Sequence, residues 1–339
     1  MSFRVRPASS DDLQAIYEMA KLTGGGFTNL PPDRTTLLAK LTRSETALAR
    51  AADKPSDEMF LFVLENIETR QIRGTCQVFG MVGIEHPFYS YRMSTLTQTS
   101  KALGKTFRNE ALTLVTDLEG CAEVGGLFLH PGERAGGLGM LLARSRYLFM
   151  GLHRERFPDR ILAELRGVID EGGNAPFWEA IAGRFFGMSF QEADQFNATH
   201  GTQFIADLMP KTPIYTSLLP ESAKTVMGVP HPSGRAAMKM LESEGFRFEC
   251  YIDIFDGGPT MTAAIDQIRT IRESRKFQLA DVVEDLAGPK MMVASGERTS
   301  FAACYGQIED LGDGSAKLNR DAAGLLGIEP GATFLAMSR

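Results

Sequence analysis

The sequence predicts an α/β fold in which helices lie against a sheet, and three observations predict it. Short apolar runs bounded by turn residues read as strands, and the stretches between them carry apolar residues at helical spacing. At one junction a strand, a proline stop, a glycine-rich turn and an apolar helix follow one another without a gap, from Leu127 to Leu142. Gly136, Gly137 and Gly139 let backbone amides approach a ligand where side chains would block it, and the helix that follows adds its positive N-terminal end. That combination is an anion cradle of the size of a pyrophosphate.

The elements follow in order. Phe3–Arg6 alternates as a strand, and Pro7 to Ser10 break it before a helix carrying Leu13, Ile16, Tyr17 and Ala20, with Ser10 as its cap and Asp11 and Asp12 in its first turn. Residues 23–32 read as a loop and 33–52 as a second helix. Strands are expected at Met59–Glu65, Gly74–Ile84 and Cys121–Leu129, then a helix at Gly139–Gly151 and a buried strand at Arg160–Val168. Thr97–Phe107 fits neither pattern well. The segment Asn174–Phe186 is echoed by Gly234–Phe246, through a duplication of the fold or through chance likeness of two amphipathic helices. From Phe277 onward short strands at Met291–Ser295, Phe301–Ile308 and Thr333–Met337, with a helix at Asp321–Leu326 capped by Asn319, read as a β-rich tail. The domain organisation expected is residues 1–190 with the cradle, 191–275 as a second half, and 276–339 as the tail.

Composition narrows the function. A chain of 339 residues has room for a sizeable core, and 43% hydrophobic against 23% charged residues is ordinary for a globular protein. No apolar run approaches the ~20 residues of a membrane span, and the opening residues lack a signal-peptide core, so the expected compartment is the cytoplasm. A net charge of −6 without a basic block leaves little to hold nucleic acid. An anionic ligand then needs local cations. Arg134, Arg144 and Arg146 lie in the right stretch, although Arg144 and Arg146 serve equally well as the outer face of their helix. Cys76, Cys121, Cys250 and Cys304 are scattered without metal-ligand spacing; buried free thiols are expected and no metal.

The glycine turn matches neither a P-loop nor a dinucleotide fingerprint. Arg134-x-x-Gly137-x-Gly139 after Pro131 resembles instead the acetyl-coenzyme-A segment of the Gcn5-related N-acetyltransferase superfamily. The likeness narrows with Pro87-Phe88-Tyr89-Ser90-Tyr91-Arg92, Glu164-Leu165-Arg166-Gly167-Val168-Ile169-Asp170-Glu171, Pro176-Phe177-Trp178-Glu179 and Tyr251-Ile252-Asp253-Ile254-Phe255-Asp256, and with blocks at Thr23–Gly26 and Phe204–Pro210. Over about residues 3–275 these resemble the arginine N-succinyltransferase family. The resemblance implies a mixed, mostly antiparallel acetyltransferase-type sheet. It also implies transfer of a succinyl group from succinyl-coenzyme A to the α-amine of L-arginine in arginine catabolism. No permanently bound cofactor is implied; succinyl-coenzyme A is the cosubstrate. Ornithine or a related amine is the rival acceptor, and a coenzyme-A-binding subunit with a paralogous partner is the rival role. A homo-oligomer is equally open.

The resemblance also assigns residues. The family's catalytic histidine falls on His231 and its succinyl-coenzyme-A contact on Leu127. Imidazole suits proton transfer because its pKa of about 6.5 lets it take and return a proton. His130, beside the cradle, is the competing base. The backbone N–H of Leu127 or Leu129 can meet the thioester oxygen. For the guanidinium, the pool of acids is Glu164, Asp170, Glu171, Asp253 and Asp256; for the succinyl carboxylate, Arg92 and Arg166 are the cations. One departure is Val124-Gly125-Gly126-Leu127, where the family usually carries bulkier residues.

Overall fold

The computed structural model describes residues 2–23, 29–51, 54–134, 136–193, 196 and 203–338. The glycines at 24–26, Ala135 and His200 lie outside them. In chain order the strands are β1 (Phe3–Pro7), β2 (Met59–Asn66), β3 (Ile72–Phe79), β4 (Ser90–Ser100) and β5 (Lys105–Val115). There follow β6 (Ala122–Leu129), β7 (Arg160–Glu164), β8 (Ile214–Tyr215), β9 (Arg247–Ile252) and β10 (Pro259–Ala264). The last are β11 (Arg275–Val283), β12 (Lys290–Ser295), β13 (Ala302–Asp310), β14 (Ser315–Asn319) and β15 (Thr333–Ser338). Three helices matter most: α1 (Leu13–Lys21), α2 (Arg34–Ala49) and α3 (Leu138–Leu152).

The chain divides into two compact units that interleave along the sequence, where consecutive segments 1–190, 191–275 and 276–339 were expected. The first comprises residues 1–80, 122–159 and 264–339, the second 81–121 and 160–263. Residues 81–121 leave the first unit after β3 and return at β6, which a reading of local patterns has no means to register. The two segments of the helical echo, near 176–186 and 234–246, both fall in the second unit.

In the first unit β1, β2, β3 and β6 pair antiparallel in that order. Every residue of β2 is buried, because both of its faces are covered. Met59, Leu61 and Val63 pack with Ile16, Leu37 and Leu41 of α1 and α2. Phe60 and Phe62 turn the other way, onto Phe149 of α3, with ring centroids 5.1 and 5.0 Å apart. At the edge of this layer the Arg156 guanidinium, 1% exposed, donates to Glu58 at 2.6 Å and to the Ala47 carbonyl at 2.8 Å, tying the end of α2 to the strand start. Breaking such a buried pair costs about 3–5 kcal/mol.

The β-rich tail closes on itself. β12, β15, β11, β14 and β13 pair in sequence and β13 returns to β12, so five strands form a ring around Phe277, Val293, Cys304, Leu318 and Phe334. Closure removes the open edges that short strands otherwise leave. β11 and β14, which run parallel, were not legible as strands because their faces alternate with charge and turn residues.

In the second unit the order is β7, β10, β9, β4, β5, β8. β4 and β5 form a long hairpin in continuous register from Ser90↔Val115 to Ser100↔Lys105, and the ambiguous Thr97–Phe107 is its tip, turning at Gly104 with φ 58°. One face packs on Trp178, whose ring stacks on Phe255 at 5.6 Å and on Phe186 at 5.8 Å.

Several boundaries differ from expectation for physical reasons. Ser9, not Ser10, is the N-cap of the first turn, and its N–H donates to the Asp12 carboxylate at 2.9 Å. The strand expected over 160–168 ends at Glu164, because the Gly167 N–H turns to the Asp256 carboxylate at 2.7 Å. Asn319 precedes its helix, yet its Oδ1 accepts from the Gln307 N–H at 2.8 Å. Cys76, Cys121 and Cys304 are buried free thiols, but Cys250 is exposed, with φ 63° where β9 and β10 slip register. No helix among the described residues is long and apolar enough to cross a membrane.

Candidate active site

In the first unit the cradle begins inside β6. The register with β3 slips between Thr75 and Gln77, and Gly126 stands at φ 56° in that bulge. A Cβ on Gly126 would lie 2.6 Å from the Gln77 amide, and one on Gly125 would lie 2.7 Å from the Asn29 amide. The departure from bulkier residues at these two positions thus has a local cause. Thr75 Oγ1 donates to the Gly126 carbonyl at 3.0 Å and fixes the bulge. Leu127 has no register partner on β3, whereas Leu129 pairs with Gly74.

After β6, His130 caps a short turn over Pro131–Glu133. Its Nδ1 accepts from the Gly132 N–H at 3.1 Å and from the Arg73 guanidinium at 2.8 Å, while Arg73 also pairs with Glu133 at 3.0 Å. The Arg134 side chain is exposed. Gly136 (φ 67°) and Gly137 (φ 83°) take the left-handed conformation that brings the chain into α3. Gly139 has ordinary helical geometry, and a Cβ there would meet only the Leu129 side chain, at 3.6 Å. The Gly137 carbonyl accepts from Met140 and Leu141 N–H groups at 3.0 Å and from the Tyr305 hydroxyl of β13 at 2.9 Å. The first amides of a helix have no partner one turn back, so Leu138 and Gly139 present N–H groups in the direction of the macrodipole. Arg144 and Arg146 do not solvate an outer face: they are 4% and 3% exposed, and Arg146 donates to the Ala143 carbonyl at 3.0 Å. Of the three arginines in this stretch, Arg134 alone is exposed.

In the second unit His231 follows the same local plan. It caps a turn over Pro232–Gly234 that leads into the helix Arg235–Glu244. Its backbone N–H donates to the Arg166 carbonyl at 2.7 Å, and its Nδ1 lies 2.7 Å from Ser233 Oγ and 3.3 Å from the Ser233 N–H. Burial and the nearby Arg166 charge hold its pKa below the ordinary 6.5, so the neutral ring prevails at neutral pH. Arg166 itself has a buried Nε with no hydrogen-bond partner among the described residues. An orphaned buried donor costs about 1–3 kcal/mol, a penalty that a bound acceptor removes.

The acids separate by environment. Asp256 is 8% exposed, and its two oxygens accept from the Gly167 and Gly258 N–H groups at 2.7 and 2.8 Å. Burial, with the Asp253 charge beside it, pushes its pKa up to about 8. Asp253 is spent in the same way on Phe255 and Asp256 amides. These two hold the loop carrying Arg166 against the turn after β9. Asp170 is exposed and closes its own turn on Asn174 at 2.8 Å, and Glu171 is exposed. Glu164 is half-buried at the end of β7. Arg92 pairs with Asp117 at 3.4 Å and lies over the Tyr251 ring, whose hydroxyl donates to Asp117 at 3.0 Å. The structure thus brings together Arg166 with His231 and with the Asp256 clamp, and leaves Arg92 and Asp170 in separate arrangements. Asp117, Arg73 and Ser233 carry these contacts without having stood out in the sequence, and Tyr251 stood there only within a family block; for Ser233 the one available signal was its place two residues after the histidine.

Residues 3–270 match the family described as arginine N-succinyltransferase beta subunit, and residues 275–338 match its C-terminal domain. Arginine N-succinyltransferase of Citrobacter koseri is 44% identical over 285 residues, 84% of this chain and 82% of that protein. The protein of the same name from Escherichia coli is 43% identical over 277 residues, 82% of this chain and 80% of that one. Arginine/ornithine succinyltransferase subunit AI from Pseudomonas aeruginosa superposes with a TM-score of 0.91 at 30% identity, over 99% of this chain and 98% of that one. With both segments matched and relatives 44% and 43% identical over most of the chain, the chain belongs to the arginine N-succinyltransferase family.

Proposed function

We propose that this protein transfers the succinyl group of succinyl-coenzyme A to the α-amine of L-arginine, with His231 as the proton acceptor. What carries the reading is family membership across the whole chain together with the open glycine turn at the start of α3. Gly136, Gly137 and Gly139 receive the pyrophosphate of coenzyme A, with Arg134 as the exposed cation beside them. The bulge at Gly126 turns the Leu127 peptide out of register with β3, and its N–H is the donor we assign to the thioester oxygen. Leu129, still paired with Gly74, supports the strand.

The α-ammonium group gives one proton to Nε2 of His231, and the freed lone pair attacks the thioester carbon. As the C–N bond forms and the C–S bond breaks, the nitrogen sheds a second proton and the departing thiolate takes one up. One proton is released per turnover. Arg166, with its unpartnered buried Nε, is the cation assigned to the succinyl carboxylate in preference to Arg92, which is already engaged with Asp117. Glu164, half-buried at the end of β7, is the acid we assign to the guanidinium.

Turnover of the purified chain with two donors and two acceptors tests this. Succinyl-coenzyme A should exceed acetyl-coenzyme A by well over ~10-fold in kcat/KM, the factor that about 1.4 kcal/mol of discrimination supplies. Equal rates with both donors would remove the succinyl assignment. A second reading, in which ornithine is also accepted and a partner subunit completes the enzyme, is favoured by the descriptions of the family and of the P. aeruginosa relative as subunits. Ornithine turnover, or no turnover until a second chain is added, would select it.

A further inference from the structure

The two His-Pro turns share one backbone plan and differ in what the ring nitrogen meets. His130 and His231 have nearly the same backbone angles, φ −53°, ψ 133° and φ −50°, ψ 144°, and in each the N–H of the residue two places on faces Nδ1, at 3.1 Å in the first turn and at a longer 3.3 Å in the second. At His130 the second partner is the Arg73 guanidinium at 2.8 Å. A guanidinium and an amide can only donate, so that Nδ1 is held as an acceptor and the ring proton of the neutral form sits on Nε2. At His231 the second partner is the Ser233 hydroxyl, at 2.7 Å the shorter of its two contacts. A hydroxyl donates or accepts as required. Where the first turn has Gly132, the second has Ser233.

We propose that Ser233 is a positioning residue for His231: with the ring proton on Nδ1, its Oγ accepts at 2.7 Å and the longer 3.3 Å contact from the Ser233 N–H is given up, which leaves the Nε2 lone pair open to the substrate amine and stabilises the ring once it is doubly protonated. The proposal rests on the reading of His231 as the base. In the step itself, the proton leaves the substrate nitrogen and forms the Nε2–H bond, while Nδ1–H stays on its ring and keeps its hydrogen bond to Ser233 Oγ. No proton passes to the serine.

The test is kinetic and uses the full chain with saturating succinyl-coenzyme A. Ser233→Ala should lower kcat by about tenfold, the rate equivalent of one well-placed hydrogen bond, with KM for arginine little changed. Its acidic limb should move to lower pH, since the imidazolium loses an acceptor. Ser233→Thr, which keeps the hydroxyl, should restore both rate and limb. His231→Ala run beside them separates the two readings. If His231→Ala abolishes the limb while Ser233→Ala keeps the unmodified rate and pH profile, the Ser233 assignment fails and the base stands. If His231→Ala itself keeps rate and limb, the base reading fails and takes the Ser233 assignment with it. A melting-temperature loss in Ser233→Ala with an unmoved pH profile would mark the serine as merely structural and overturn the proposal.

Discussion

Arg166 serves His231 twice, through its carbonyl, which takes the histidine N–H at 2.7 Å, and through its charge, which disfavours the imidazolium. Substituting the side chain leaves the first contact and removes the second. Arg166→Gln should therefore move the acidic limb of kcat/KM upward, toward the ordinary histidine value of 6.5, because the neutral ring no longer has a nearby cation favouring it. The same variant should lose roughly tenfold in its preference for succinyl- over acetyl-coenzyme A if the guanidinium holds the distal carboxylate. An unmoved limb and an unchanged donor ratio would contradict both roles. At this scale the sequence supplied residue types but not their surroundings. Asp170 and Asp256 looked equivalent as acids; one is exposed and the other is buried among amides, and only burial separates them. Ser233 was silent because a hydroxyl matters here through one contact with a ring nitrogen.

Among the elements, the turn into α3 was the most legible, since its glycines announce backbone that few other residues can adopt. The structure divides their work. Gly136 and Gly137 are needed by the chain itself, which passes through positive φ at both, so a β-branched residue at Gly137 strains the backbone by about 1–2 kcal/mol whatever binds there. Gly139 is not needed by the fold. With the pyrophosphate on these amides as proposed, Gly139→Ala should keep the melting temperature and weaken coenzyme A binding by roughly tenfold. Calorimetry on the folded variant reads this directly, and unchanged affinity would remove the pyrophosphate from this turn. The buried strands were legible for a related reason: β2 is apolar from Met59 to Leu64 because it is covered on both faces. The hairpin of β4 and β5 was not, because its outer half is exposed and carries no burial pattern to read.

Across the whole molecule, chain order and spatial order part company. Residues 264–339 belong with residues 1–80, and the tail, whose role the sequence left blank, closes a five-stranded ring and sends the Tyr305 hydroxyl to the Gly137 carbonyl. Such long-range pairings depend on which segments leave a unit and return, and local patterns do not encode that. What the family resemblance did carry was the family and its acyl-transfer chemistry, and the base we propose for that chemistry is His231. The most direct test of that claim is the rate of succinyl transfer to arginine by His231→Ala, measured across pH beside the unmodified protein. The variant should bind coenzyme A normally, lose roughly 10²–10⁴ in rate, and lose the acidic limb that lies below the ordinary histidine pKa in the unmodified enzyme. Near-normal turnover with the same limb would contradict the claim.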